Sequence, residues 1–127
     1  LLRRDSLAKY RIIPKVLDSL ELYKEGEVAS IIAKEEWFKQ TGAHNRDCED
    51  ALDMIMSIAV VRIAIFVRIV NGESRVSLRS KGKIDVSKIA AEFAGGGHFN
   101  ASGCTIETLD VEKAKEIVLK EIFEIYK

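Results

Sequence analysis

The sequence predicts an α/β fold: a small mixed β-sheet with a central Asn-Gly hairpin and flanking helices. Three observations support this prediction. Two β-rich runs flank Asn71-Gly72, residues 27–33 form a short run rich in Val and Ile, and helical apolar stripes occur near both ends of the chain. Strands interspersed with helices in 127 residues favour layered α/β packing over a sandwich or a helix bundle.

The first quarter of the chain predicts a helix followed by a strand. Apolar residues recur at helical spacing from Ile12 to Leu20, and Pro14 is expected in the first turn, which tolerates proline. Residues 24–26 predict a turn into a buried strand at 27–33. A short helix is expected at 35–40, and a further helix is expected after the acidic residues of 47–50.

Residues 58–80 give the most detailed prediction. A two-residue type I′ turn at Asn71-Gly72 pairs Val70 with Glu73 and therefore places Arg68 opposite Arg75. The same register pairs Phe66 with Ser77 and Ala64 with Arg79. One face of the hairpin is then aliphatic and must be buried, with Ser80 on that side. The other face is basic, and its charged residues are Arg62, Arg68, Arg75 and Arg79, with Lys81 directly after the second strand.

The basic hairpin lies in the only basic part of a chain with zero net charge. Residues 58–103 carry seven Lys or Arg against three Asp or Glu. Like charges that lie directly opposite are destabilising, so Arg68 facing Arg75 requires acidic partners or an anionic ligand. Such a surface attracts anions even on a neutral molecule, and a solvated or salt-bridged face is the alternative.

The C-terminal part predicts two more helices. Asp85 is placed as an N-cap between Ile84 and Ile89, which form a hydrophobic staple, and this helix is expected to end at Gly95. The last helix is expected at 111–126. Its predicted apolar stripe is Val111, Ala114, Ile117, Val118, Ile122 and Ile125.

A glycine-rich segment between these helices is the strongest local functional signal. Gly95, Gly96, Gly97 and His98 are followed by Asn100, Ala101 and Gly103. Consecutive glycines allow close approach of backbone to a ligand, and exposed amides with a neighbouring imidazole bind phosphate. The alternative is a helix C-terminal turn with a surface histidine. The segment matches neither the Walker pattern nor the dinucleotide fingerprint.

Other chemistry has little support in the sequence. The two histidines and two cysteines have no zinc spacing, and no serine has the partners of a nucleophilic triad. No catalytic residue and no metal ligand is therefore predicted. No apolar run is long enough to span a membrane, and two cysteines without a CxxC pair favour a reducing, cytoplasmic compartment.

Three sequence stretches together resemble the C-terminal, DHH-associated domain of the DHH phosphoesterase superfamily. They are V-S-L-R-S at 76–80, I-D-V-S-K-I-A at 84–90 and G-G-G-H-F-N-A-S-G-C at 95–104. The sequences of these stretches most resemble the nanoRNase branch of the superfamily. The members of this branch are bifunctional oligoribonucleases that also dephosphorylate 3′-phosphoadenosine 5′-phosphate. The resemblance covers residues 27–127, and residues 1–26 are expected to be a linker helix from an N-terminal DHH domain.

The resemblance implies that this chain is the substrate-binding half of a manganese-dependent phosphodiesterase. The metals and the hydrolysis belong to the N-terminal DHH domain of the same parent chain, so the segment alone is expected to be inactive. By resemblance, His98 and the amides of 95–97 bind the scissile phosphate, while Arg79, Ser80 and Asn100 contact the substrate. The expected partner is short RNA or a nucleotide. A homodimer is compatible with the family, although no residue here requires it.

Four alternative functions are compatible with part of this interpretation. The same family includes cyclic-dinucleotide phosphodiesterases and RecJ-type single-strand exonucleases, and polyphosphate is a third substrate for such a domain. A related domain at the end of alanyl-tRNA synthetases suggests a non-catalytic nucleic-acid-binding accessory.

Overall fold

The computed structural model, which describes residues 5–127, has a six-stranded mixed sheet between two helical layers. The strands are β1 (Glu21–Tyr23), β2 (Val28–Ala33), β3 (Ile63–Val70), β4 (Glu73–Ser80), β5 (Gly96–His98) and β6 (Ala101–Ile106). The helices are α1 (Leu7–Asp18), α2 (Glu35–Thr41), α3 (Asp50–Met56), α4 (Val86–Ala91) and α5 (Val111–Ile125), with a 3₁₀ turn at Asn45–Cys48. The strand order is β1-β2-β3-β4-β6-β5, in which β2 and β3 are parallel and the other pairs antiparallel. The α/β prediction is confirmed.

The central hairpin has the predicted turn and register. Asn71 and Gly72 have φ values of 50° and 78°, as a type I′ turn requires. Arg68 lies opposite Arg75, and all the other predicted pairs of β3 with β4 are present. The aliphatic face of the hairpin is fully buried under α4 and α5. Its buried residues are Ile63, Ile65, Val67, Val76 and Leu78.

The predicted alternation fails one residue before β3. Val61 packs into the core on the opposite side of the sheet, among residues of α1 and α3. Arg62 is exposed and its guanidinium lies close to Gly82. Strand geometry begins only at Ile63, so the period of two does not apply to these residues. Arg62 is therefore not part of the basic face, contrary to the prediction.

Helix α1 begins earlier than the sequence suggested. Ser6 is its N-cap and accepts a hydrogen bond from the Lys9 amide at 3.1 Å, so Pro14 lies in the helix interior rather than in the first turn. Ile12 and Val16 are fully buried against the sheet. Residues 1–4 of the expected linker lie outside the described residues, and the boundary at residue 26 stays a prediction.

The buried stripe of α5 differs from the predicted one. Ile117 and Ile125 are 37% and 47% exposed, whereas Leu119 and Lys115 are about 5% exposed. Burial lowers the pKa of the Lys115 ammonium, but hydrogen bonds to Glu21 and Glu112 outweigh it and leave the pKa raised. The apolar stripe of α5 was predicted at the wrong positions because Lys115 occupies a core position and interrupts the apolar period. The aliphatic part of the Lys115 side chain packs like an apolar residue.

Three strands were not predicted: β1, β5 and β6. Strand β1 has only three residues, and β5 is Gly-Gly-His, which has no β-propensity. Strand β6 contains Ala, Ser, Gly and Cys in succession and shows no apolar alternation. These segments become strands because β1 pairs with β2, β6 pairs with β4 and β5 pairs with β6. Such pairing overrides local propensity.

We expect Asp47 to stabilise the fold above about pH 4. Its carboxylate accepts hydrogen bonds from the His44 amide at 2.7 Å and from Ser6 Oγ at 3.0 Å. The backbone hydrogen bond from His44 is the main cause that lowers the pKa of Asp47. Because this pKa is depressed, the stabilisation is present above the unfolded-state pKa and is lost as the pH falls through the folded-state pKa.

Asp47→Ala is expected to lower the free energy of unfolding at pH 7 by about 1 kcal/mol, the usual value of a helix cap. Urea denaturation at pH 7 and pH 3 measures this change. The difference between variant and wild type should shrink at pH 3. Asp18→Ala, at an exposed carboxylate, is the control. An equal difference at both pH values would contradict the assigned role of the Asp47 carboxylate.

Candidate functional site

The side of the sheet that carries α1 and α3 leaves β4, β6 and β5 with an exposed surface, which we call the arginine face. Residues on this face form three rows across the strands, because paired residues point to the same side. The upper row is Arg68, Arg75 and Thr105; the middle row is Phe66, Ser77, Gly103 and Gly96; the lower row is Ala64, Arg79, Ala101 and His98. The topology thus brings the hairpin arginines and His98 onto one surface.

The glycine-rich segment is a strand rather than the predicted loop. The Gly95 amide donates to the Ala90 carbonyl at 2.9 Å, and residues 96–98 pair with β6. A Cβ atom at Gly95 would lie 2.2 Å from the Gly103 carbonyl oxygen. Gly97 has φ +145°, and a Cβ there would lie 2.7 Å from the Ala101 oxygen. The fold itself therefore requires glycine at 95 and 97, and the Gly95 amide is already used in a hydrogen bond.

Gly96 differs from its two neighbours. Its φ is not positive, and a Cβ atom at this position would meet nothing within 4 Å. No packing or backbone constraint requires glycine here. Gly96 lies opposite Gly103 in the middle row and two residues from His98 along β5. The absence of a side chain at Gly96 keeps the surface beside His98 open.

Arg75 extends toward the middle row. A Cβ atom at Gly103 would lie 2.8 Å from Arg75 Nη2, so the guanidinium occupies the space that a side chain at 103 would fill. Arg79 is half-buried and donates from Nη1 to the Leu78 carbonyl at 3.2 Å. Only Ala101 separates Arg79 from His98 across the sheet. This spacing allows one small anion to contact both side chains.

Arg68 is the most buried cation of the face. Its guanidinium lies 5.0 Å from the centre of the Phe66 ring, and Nη1 donates to Ser77 Oγ at 3.3 Å. Burial is the main cause that lowers the pKa of Arg68, and the charges of Arg75 and Arg79 act in the same direction. Within residues 5–127, no carboxylate lies within 4 Å of any arginine of this face. The arginine face therefore has the charge to bind an anion.

Three further candidate residues make internal contacts instead. Ser80 is 8% exposed, and its hydroxyl donates to the Ile84 carbonyl at 2.5 Å and accepts from Asn100 Nδ2 at 2.9 Å. Asn100 Nδ2 also contacts the Gly82 carbonyl at 3.2 Å. Ser80 thus lies on the buried side that the hairpin register predicted, and Ser80 and Asn100 brace the β5–β6 turn. Lys81 is also engaged, because its ammonium donates to the Ile58 carbonyl at 2.9 Å.

Sequence reasoning missed Ser77 and Gly103 as members of the face. Ser77 alternates with Arg75 and Arg79 along β4, so the predicted register already placed it on the basic side. Gly103 had no such signal, because β6 was not predicted as a strand. Its position follows only from the pairing of β6 with β4.

No group of three or more His, Cys, Asp or Glu residues within 5–127 is arranged to hold a metal ion. No helix in that range combines the length and apolar character of a membrane span. Both cysteines are buried and unpaired, and burial raises the pKa of each thiol to about 11. Cys48 and Cys104 therefore act as core side chains.

Comparison with known structures gives close matches in fold. An exopolyphosphatase-related protein from Bacteroides fragilis superposes with a TM-score of 0.87 at 30% identity, over 95% of this chain and 36% of that protein. A pGpG-specific phosphodiesterase, PggH from Vibrio cholerae, superposes with a TM-score of 0.60 at 16% identity, over 90% of this chain and 38% of that protein. At that identity, the second match shows the fold alone.

Comparison with curated sequences gives related enzymes. The bifunctional oligoribonuclease and PAP phosphatase NrnA of Thermus thermophilus is 29% identical over 91% of this chain and 34% of the relative. A probable NrnA of Streptococcus mutans is 34% identical over 74% of this chain and 30% of the relative. The chain thus spans about a third of the length of these proteins. The model of the DHHA1 domain matches residues 15–127, and the chain therefore belongs to the DHHA1 domain family.

Proposed function

We propose that this chain is the substrate-binding domain of a phosphodiesterase that hydrolyses short oligoribonucleotides and 3′-phosphoadenosine 5′-phosphate. One observation carries the proposal. The arginine face combines three arginines and His98 on one surface, and within residues 5–127 no carboxylate lies within 4 Å of these arginines. The relatives named as oligoribonuclease and PAP phosphatase support the choice of substrate.

The lower row is proposed to bind the phosphate next to the scissile bond. The Arg79 guanidinium supplies a charge and several fixed N–H donors, and the His98 imidazole adds a further donor from the neighbouring strand. Gly96 presents backbone rather than a side chain next to His98, so a phosphate or ribose can approach closely. Ser80 and Asn100 position the β5–β6 turn that carries His98, and they do not contact substrate themselves.

Hydrolysis is proposed to depend on manganese bound by a DHH domain elsewhere in the parent chain. The residues of 5–127 do not fit a metal centre, so no chemical step is assigned to a metal held by this domain. Two metal ions would supply an activated water and stabilise charge on the phosphate. This domain supplies orientation of the nucleotide toward those ions. The parent protein is proposed to be cytoplasmic, and a homodimer remains compatible with this arrangement.

A second candidate substrate is polyphosphate. The Bacteroides fragilis protein with 30% identity is described as exopolyphosphatase-related, and a row of arginines binds any chain of phosphates. Polyphosphate offers no base or ribose to the open middle row. Competition between tripolyphosphate and 3′-phosphoadenosine 5′-phosphate, which are both highly charged anions, separates the two substrates, because only a nucleotide site favours the nucleotide.

The binding proposal is tested by isothermal titration of the chain with a diribonucleotide and with 3′-phosphoadenosine 5′-phosphate. Arg79→Met and His98→Ala are each expected to weaken binding about tenfold, because each removes a charge-assisted or hydrogen-bonding contact to phosphate. Arg11→Met is the control, since Arg11 is exposed on α1 and lies outside the arginine face. Wild-type affinity in both site variants would contradict the proposal.

We expect the isolated chain to show no hydrolysis of either substrate, with or without added Mn²⁺. The reason is that the part of the chain in the structure offers no cluster of metal-binding side chains. Release of mononucleotide or inorganic phosphate is the measurement. Robust Mn²⁺-dependent turnover that is abolished in His98→Ala would place the chemistry within this domain. It would contradict the proposal that this domain binds substrate and a separate DHH domain hydrolyses it.

A further inference from the structure

We propose a second phosphate subsite at the turn end of the β3–β4 hairpin, formed by Arg68 and Arg75. It takes a terminal phosphate of a short nucleotide whose scissile phosphate lies between Arg79 and His98. The inference rests on the proposed function and adds a contact that would select phosphorylated ends. A cavity of about 330 Å³ is present at this position. Its lining residues are Arg68, Val70, Asn71, Glu73, Arg75 and Thr105.

The cavity has the charge and the donors that a phosphate requires. Two guanidinium groups line it against one carboxylate, that of Glu73, so its net charge is positive. Glu73 forms no ion pair within 4 Å with either arginine in the described chain. Asn71 and Thr105 add polar side chains at the rim, and both are exposed. Val70 leaves one wall apolar, where a ribose can pack.

Neither arginine of this pair has an ion-pair partner within 4 Å among residues 5–127. Arg68 and Arg75 lie directly opposite across the hairpin, an arrangement that destabilises a sheet when both residues carry the same charge. The Nε atom of Arg68 is buried and has no hydrogen-bond partner. An unsatisfied buried donor costs free energy. A phosphate between the two guanidinium groups would offset the repulsion.

The subsite is separate from the lower row. The rows that contain Arg75 and Arg79 are four residues apart along β4, which is about 13 Å in a strand. A single phosphate is too small to contact both Arg68 and His98. A ligand that occupies both ends must carry two phosphates on a nucleotide framework. Arg75 reaches the middle row over Gly103 and lies between the two positions.

The test compares diribonucleotides that differ only at their ends. The chain is titrated calorimetrically with a diribonucleotide that has hydroxyl ends and with the forms phosphorylated at the 5′ or the 3′ end. We expect one terminal phosphate to raise the affinity about tenfold. Arg68→Met should remove this gain, so that the phosphorylated and hydroxyl-ended forms bind the variant with equal affinity. Arg11→Met is the matched control, because it removes the same charge from an exposed helix position.

Arg68→Met keeps a long apolar stem beside Phe66 and removes the repulsion from Arg75, so the variant should fold. Thr105→Val is a second variant at the rim of the same cavity and should reduce the gain in affinity from the terminal phosphate. Equal binding of phosphorylated and hydroxyl-ended forms would overturn the subsite and leave the proposed function intact. Inorganic phosphate that binds as tightly as the phosphorylated nucleotide would overturn it too. Absence of binding by every nucleotide would contradict the proposed function as well.

Discussion

Gly95→Ala is expected to lower the free energy of unfolding by about 3 kcal/mol or more, the upper range for overpacking a rigid site. The added Cβ would lie 2.2 Å from the Gly103 carbonyl oxygen and 2.7 Å from Cys104 Cβ. The first of these atoms belongs to the backbone of β6 and cannot rotate away. Strands β5 and β6 must therefore move apart, with loss of their hydrogen bonds.

Urea denaturation of Gly95→Ala measures this effect, and Gly96→Ala is the matched control. A Cβ at Gly96 meets nothing within 4 Å, and replacing glycine at a compatible site usually stabilises by about 0.4–1 kcal/mol. The adjacent glycines should therefore respond with opposite signs. Equal stability of wild type and Gly95→Ala would mean that β5 and β6 do not approach as closely as the structure has them.

Gly96→Val is expected to weaken nucleotide binding at least about 30-fold, which corresponds to about 2 kcal/mol. A valine side chain at this position would stand at the β5 end of the middle row, beside His98. It would occupy the surface that a phosphate and ribose are proposed to contact. Valine suits a strand, so the free energy of unfolding should stay within about 1 kcal/mol of wild type.

Calorimetric titration of Gly96→Ala, Gly96→Val and Gly96→Leu with the same diribonucleotide measures the effect as a graded series. Affinity should fall as the side chain grows, while stability changes little. The paired stability measurement separates blocking of the surface from unfolding. Full affinity in Gly96→Leu would show that the ligand does not lie over this glycine, and the proposed binding face would then be wrong.

The hairpin could be predicted in detail because its signals are local. Asn-Gly defines the turn type, and the period of two then assigns every side chain of 63–80 to a face. The register also gave the correct side of the sheet for Ser80. It placed Ser80 on the side opposite Arg79, where the structure has it bonded to Ile84 and Asn100.

The other half of the site depends on contacts that local sequence does not encode. Strands β5 and β6 consist largely of Gly, Ala and Ser, and they are extended because β6 pairs with β4 and β5 pairs with β6. The glycines were correctly singled out, but for different reasons at each position. Gly95 and Gly97 are constrained by packing and backbone geometry, and Gly96 is not. That distinction needs the three-dimensional distances to β6.

The amide chemical shifts of the uniformly ¹⁵N-labelled chain during titration with a diribonucleotide test the central claim most directly. We expect the largest chemical-shift changes at the amides of Arg79, Gly96, His98 and Gly103, which lie on three strands but on one face of the sheet. With a terminally phosphorylated ligand, the changes should extend to Arg68 and Arg75. Shifts confined to the α4 and α5 side of the sheet, or spread over α1, would contradict the arginine face as the nucleotide-binding surface.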